Sequence, residues 1–148
     1  MKTFLYKRRL HHHETDADGV CHASNYLRLF EEALCNAFCS LNRPPEHLPH
    51  NIAIAEVNVI YQRPLCYGDR FEVALAFATI RRAKLGVEAV VSLNGNVCTE
   101  ISCTLAAIDR TTKTSVSFDR DLHQALLNAV ALNRAADVEP VTEPRHGK

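Results

Sequence analysis

The stretch HHHETDADGVCHASNYLRLFEEA, from His11 to Ala33, decides how the whole chain is read, because it sets an acidic turn and a glycine directly before an amphipathic helix. A helix N-terminus offers unpaired backbone N–H groups and a partial positive charge, and Asp16 offers a carboxylate a short distance upstream. Gly19 lies between Asp16 and the helix start at Ala23, where it lets the backbone fold back. A carboxylate and a main-chain N–H in this relation suit attack on, and polarisation of, one carbonyl. An isolated DxxG would mean little, so the surrounding chain has to supply the rest.

From about Ser24 to Leu41, residues Tyr26, Leu27, Phe30, Ala33, Leu34, Ala37, Phe38 and Leu41 recur at helical spacing, with Arg28, Glu31, Glu32 and Asn36 between them. Ser24 or Asn25 is placed to cap this helix, and Pro44-Pro45 and Pro49 exclude any continuation. Upstream, Phe4, Tyr6 and Leu10 alternate with basic residues, which reads as a first strand within residues 3–13. Downstream, four further strands are expected over Ile52–Arg63, Arg70–Arg82, Leu85–Leu93 and Val97–Asp109, with Asn94-Gly95 as a hairpin signal. Thr114–Phe118 reads as a short extension, and Asp119–Leu132 as a second helix with Leu122, Leu126, Leu127, Val130 and Ala131 apolar. One helix after the first strand, then a run of antiparallel strands, is an α+β plan in which one curved sheet wraps one long central helix. The domain is expected over residues 1–134, with a frayed tail over 135–148.

A chain of 148 residues, 47% hydrophobic and 23% charged with formal net charge zero, has the composition of one globular domain. No global charge draws it to nucleic acid or to a membrane surface, so an anionic ligand must be held by a local cluster, of which Arg81, Arg82 and Lys84 form the sharpest. Lys2, Lys7, Arg8 and Arg9 interrupt any signal-like apolar run, and no segment reaches membrane-spanning length; the expected location is the cytoplasm. The six cysteines form no CxxC pair and are read as reduced. His11 and His13 would share one face of a strand, a two-ligand metal site at best, and no metal is expected.

Two ordered blocks carry a family likeness. The run ETDADGVCHASNYLRLFEEA, with Thr15, Asp16, Gly19, Asn25-Tyr26 and Glu31-Glu32-Ala33, is followed by VNVIYQRPLCYGDRFEV, with Tyr61, Arg63-Pro64-Leu65 and Gly68-Asp69. Together they resemble the hotdog-fold acyl-CoA thioesterases of the 4-hydroxybenzoyl-CoA thioesterase type, over roughly residues 3–110. The resemblance implies hydrolysis of an acyl-CoA to a free acid and coenzyme A. It implies no cofactor beyond the coenzyme A of the substrate itself, and at least a homodimer, commonly a homotetramer, with sites between subunits.

Within that resemblance the second acidic position of the acidic-Thr-Asp element is catalytic and maps onto Asp16, either as nucleophile or as general base. The helix-start amide that binds the thioester oxygen maps onto the backbone N–H of Ala23. Many relatives carry His or Tyr at that position, whereas this chain has His22 one place earlier, which puts a histidine-assisted step in doubt. Gly19, Tyr26, Arg81, Arg82 and Lys84 complete the expected substrate contacts, the last three near the coenzyme A phosphates. The plain alternatives stand beside these: an aspartate that satisfies its own turn, an ordinary loop histidine, a solvated hairpin end. Glu14 is the obvious substitute carboxylate, although alternation along the strand end points it away from Asp16, and Glu31 and Glu32 are further candidates more simply read as a solvated or interface-facing helix surface. The rival functions are hydrolysis of acyl groups from a carrier protein and non-catalytic acyl-CoA binding.

Overall fold

The computed structural model describes residues 3–137. Its elements are β1 (Phe4–Arg9), α1 (Asn25–Ser40), β2 (Asn51–Tyr61), β3 (Arg70–Ile80), β4 (Lys84–Leu93), β5 (Asn96–Ile108) and α2 (Arg120–Asp137). The five strands make one antiparallel sheet in the order β1-β3-β4-β5-β2, so β1 and β2 are its edges. The fold is α+β, as the order of elements in the sequence implies.

The first strand is shorter than its alternation suggests. β1 ends at Arg9, and His12–Glu14 form a 3-10 turn, because the Glu14 carboxylate Oε1 accepts the His11 N–H at 2.8 Å and pulls the chain round. The histidine triplet therefore does not lie on a strand; the His11 and His13 rings sit 5.4 Å apart on the turn. Among the described residues, no group of three metal-ligating side chains converges anywhere.

α1 buries Tyr26, Leu29, Phe30, Ala33, Leu34, Ala37 and Phe38. Leu29, which the helical stripe omits, is fully buried, while Leu27 and Leu41 are only half-buried. Its C-terminus is closed by Asn42 at φ 58°, with Asn42 N–H donating to Cys39 O and Arg43 N–H donating to Phe38 O. That is a Schellman stop with asparagine where glycine is usual. At the other end Ser24 sits at the N-cap position but makes no side-chain capping bond. α1 packs on β1 and β3. A groove of about 300 Å³, lined by Leu34, Cys35, Phe38, Ile52, Ile54 and Leu105 among others, separates it from the β2 side of the sheet.

The centre of the core is aromatic: Phe77 of β3 stacks on Phe38 of α1 at 5.8 Å and meets Phe4 of β1 edge-on at 5.4 Å. α2 packs against β3 through buried Leu122, Leu126, Ala129 and Val130. Leu127 is exposed and so is Ala131, so the buried stripe includes Ala129 in place of those two residues. Asp119 caps α2 through Oδ2, which accepts the Leu122 N–H at 3.1 Å. The helix runs to Asp137, past the expected domain end at 134, and the expected tail from 138 onward lies outside the described residues. The expected extension is no strand: Ser115 bridges Ile108, and the Val116 and Phe118 N–H groups donate to Ala107 O and Arg82 O. No helix among the described residues is long and apolar enough to cross a membrane.

Phe77 joins three elements in one ring cluster, so Phe77→Ala is expected to destabilise the fold by about 3–5 kcal/mol, measured by urea denaturation.

Candidate active site

The acidic segment is a small two-stranded finger. Thr15 pairs with Cys21, the Asp16 N–H donates to Val20 O at 2.8 Å, and the Gly19 N–H donates to Asp16 O at 3.0 Å. Gly19 turns the tip at φ 77°, and a Cβ added there would find nothing within 4 Å, so glycine is required by backbone conformation rather than by space. The Asp16 carboxylate organises its own turn: Oδ1 accepts N–H groups of Asp18 at 2.9 Å and Val20 at 3.2 Å. Its other oxygen, Oδ2, has no hydrogen-bond partner among the described residues, and the side chain is exposed.

The second sequence block is built directly onto this finger. Cys21 N–H donates to Leu65 O at 2.7 Å and Tyr67 N–H to Gly19 O at 2.9 Å, so residues 19–21 and 65–67 zip together. Asp69 closes the second turn by accepting the Cys66 N–H at 2.7 Å. Gly68, at φ 86°, lies against the Arg9 guanidinium, which an added Cβ would meet at 3.3 Å.

Between the finger, the start of α1 and the end of β2 lies a cleft of about 270 Å³ lined by Val20, Cys21, Ala23, Tyr26, Tyr61, Gln62, Arg63 and Pro64. The Ala23 N–H has no acceptor among the described residues, while its carbonyl accepts the Tyr61 hydroxyl at 3.2 Å and the Tyr26 N–H at 3.4 Å. Tyr26 is buried and its hydroxyl accepts the Leu65 N–H at 3.1 Å; burial pushes that phenol up to about 12. Burial also pushes the Cys21 thiol up to about 11, which keeps it protonated near neutral pH and disqualifies it as a nucleophile. Tyr61, from the second of the two sequence blocks, stands edge-on to Tyr26 at 5.3 Å and walls the cleft. Nothing in the sequence short of the β2 end pairing could have placed it there.

Ala23 thus lines the cleft, and Asp16 does not; its main-chain N–H is bonded to Val20, which does. His22 points elsewhere. Its Nδ1 meets Ser24 Oγ at 2.7 Å and accepts the Ser24 N–H at 3.2 Å, which assigns the proton to Nε2 and explains why Ser24 leaves the helix uncapped. Arg81, Arg82 and Lys84 occupy the β3–β4 turn at the far end of β3 from Asp69, on the order of 30 Å from the finger by strand length. Arg82 Nη1 donates to Ser117 Oγ at 2.7 Å. Within one chain the basic cluster and the acidic turn are therefore not brought together.

Glu14 is a buried structural anchor. Arg8 grips it with two nitrogens, Nη1 on Oε1 at 2.7 Å and Nη2 on Oε2 at 2.5 Å, and turns its Nε to Glu32 Oε1 at 2.9 Å. Tyr6 donates to the same Glu32 oxygen at 2.8 Å. The Arg8 hydrogen bonds hold the Glu14 carboxyl below the usual carboxylate range against the opposing effect of burial, with a smaller contribution from the His11 N–H.

A profile of the thioesterase-like superfamily matches residues 10–126. A putative esterase of Aquifex aeolicus is 37% identical over 82 residues, spanning 53% of this chain and 64% of that relative, so the match covers somewhat under two thirds of its length. The DHNA-CoA thioesterase of Staphylococcus aureus superposes with a TM-score of 0.86 at 23% identity, covering 92% of this chain and 96% of its own. A second Staphylococcus aureus protein, SAV2348, solved in complex with CoA, superposes with a TM-score of 0.80 at 17% identity over 88% and 85% of the two chains.

Because Glu14 titrates low in the folded state, its contribution to stability is complete above the ordinary carboxylate pKa of about 4.3 and is lost as pH falls through the folded value. Denaturation midpoints recorded from pH 7 to 3 are expected to fall more steeply for the native chain than for Glu14→Gln, which lacks that group.

Proposed function

We propose that this chain, which belongs to the thioesterase-like superfamily, hydrolyses acyl-CoA thioesters to a free acid and coenzyme A. The observation that carries the reading is the Ala23 N–H, without a protein acceptor among the described residues and lying in a cleft next to a finger that presents an exposed carboxylate. In this reading the thioester carbonyl oxygen takes the Ala23 N–H, which stabilises the negative charge that gathers there as the carbon becomes tetrahedral. Asp16 works through its free Oδ2. As a base it takes a proton from water while the water oxygen bonds to the carbonyl carbon; as a nucleophile it bonds to that carbon itself and water opens the resulting anhydride. Either way the carbon–sulfur bond breaks, and the thiolate of coenzyme A leaves and is protonated. The similar structures named for a CoA thioester or solved with CoA support coenzyme A as the carrier, and the two sequence blocks are what point to the 4-hydroxybenzoyl-CoA thioesterase type. His22, bonded to Ser24 through Nδ1 and absent from the cleft lining, is given no step in this reading.

The reading requires a second subunit. β2 is an edge strand of 11 residues with Ile60 and Tyr61 half or more exposed, and the groove between α1 and Ile52–Ile54 continues beside it. Pairing of two such edges covers that apolar surface, and a dimer or tetramer brings the Arg81, Arg82 and Lys84 turn of one chain toward the cleft of another. The cytoplasm is the compartment that this reading assigns. Carrier-protein thioesters remain the second substrate class, since the same basic turn suits either phosphopantetheine source.

The assay is release of free thiol from a panel of aryl, short-chain and long-chain acyl-CoAs. Asp16→Asn is expected to lower kcat at least a thousandfold while leaving folding and CoA binding intact; full activity in that variant overturns the assignment. Arg81→Ala is expected to raise KM roughly tenfold for acyl-CoA yet leave an acyl N-acetylcysteamine thioester, which lacks the phosphates, unaffected.

A further inference from the structure

Resting on the hydrolase reading above, we propose that Asn25 is a positioning residue, which fixes Asp16 and the Ala23 N–H in one geometry by gripping the Glu14 carbonyl at the root of the finger.

Three hydrogen bonds make the argument. The Glu14 carbonyl accepts the His22 N–H at 3.0 Å and Asn25 Nδ2 at 2.7 Å, and the Asn25 N–H donates in turn to His22 O at 2.8 Å. The chain leaves Glu14 toward Asp16, turns at Gly19 and returns through Cys21 to His22 and Ala23. Glu14 O is therefore where the outgoing and returning limbs meet, and Asn25 fastens that meeting point to the first residue of α1. The Glu14 side chain is already held to β1 by Arg8, and Arg8 to α1 by Glu32. Without the Asn25 amide, the Glu14 carbonyl would keep only the His22 N–H, and the meeting point would lose its side-chain tie to the first residue of α1, although the Thr15–Cys21 bridge and the pairing with residues 65–67 still hold the rest of the finger.

The amide is specific to the task. In an aspartate at this position, the carboxylate oxygen that replaces Nδ2 would face the Glu14 carbonyl oxygen and repel it, although the shape is the same. Asn25 is the first residue of its helix rather than the cap, and the side-chain bond it makes is the donation from Nδ2 back into the finger. A shift of about 1 Å between attacking group and oxyanion donor costs up to a hundredfold in rate without a comparable loss in binding.

The experiment uses full-length Asn25→Asp, which is isosteric, and Asn25→Ala, with thiol-release kinetics, melting temperature and amide hydrogen exchange. The expected result is a kcat lowered tenfold to a hundredfold, KM within twofold, a melting temperature within a few degrees, and exchange at His22 and Val20 accelerated at least tenfold. An active native chain whose Asn25 variants keep kcat within twofold, or lose kcat only together with their melting transition, overturns the positioning role alone. A native chain that hydrolyses no thioester in the panel removes the hydrolase reading, and this inference with it.

Discussion

One guanidinium organises the end of this molecule that carries the finger and the cleft. Arg8 reaches from β1 to Glu14 in the turn and to Glu32 on α1, so strand, turn and helix meet on a single planar fork. Removing two partly buried charges from water costs about as much as their attraction returns, so this pair is weak evidence for net stability. Its contribution is directional. A bidentate fork fixes where the Glu14 backbone sits, and a well-packed apolar substitute would leave that open. Everything downstream inherits the placement: the finger rises from Glu14, the helix begins where the finger returns, and the cleft is the space left between them and the end of β2.

The two sequence blocks that suggested a family turn out to be one physical object. Residues 19–21 and 65–67 pair through main-chain bonds, with Leu65 also donating its N–H to the Tyr26 hydroxyl. Their separation in sequence is spanned by α1 and β2, which carry the chain away and return it to the same corner. The RPL and GD residues are therefore the floor against which the acidic turn is built, which is why the two blocks occur together.

The parts of the fold legible in sequence were those decided locally. Helical periodicity located α1 and α2 to within a few residues, and Asn94-Gly95 did mark the β4–β5 hairpin, with Asn94 at φ 52° and Gly95 at φ 82°. Asp16 and Gly19 were legible because an aspartate that binds the N–H groups two and four residues on, followed by a positive-φ glycine, is chemistry contained in five residues. What the sequence concealed depends on distant partners. The alternation of residues 3–13 promised a strand through the histidines, but Glu14, drawn inward by Arg8, ends it early. Ser24 looked like a cap until His22 took its hydroxyl, and which end of β3 the Arg81 cluster occupies is set by strand pairing that spacing along the chain does not reveal.

The long edge of β2 has a bearing on how the polypeptide behaves before it finds any companion. Among its 11 residues Glu56 is the single charge, and neither proline nor lysine interrupts it. Such a border is a template: its free N–H and C=O groups accept any extended chain that arrives, including another unfinished molecule. In the dimer proposed above, self-association and aggregation would compete for the same ladder, the first favoured by matching side chains in the adjoining groove and the second by crowding during synthesis. Robustness would then be a property of the population as much as of the single chain, rising with concentration where the stability of a lone chain is indifferent to it.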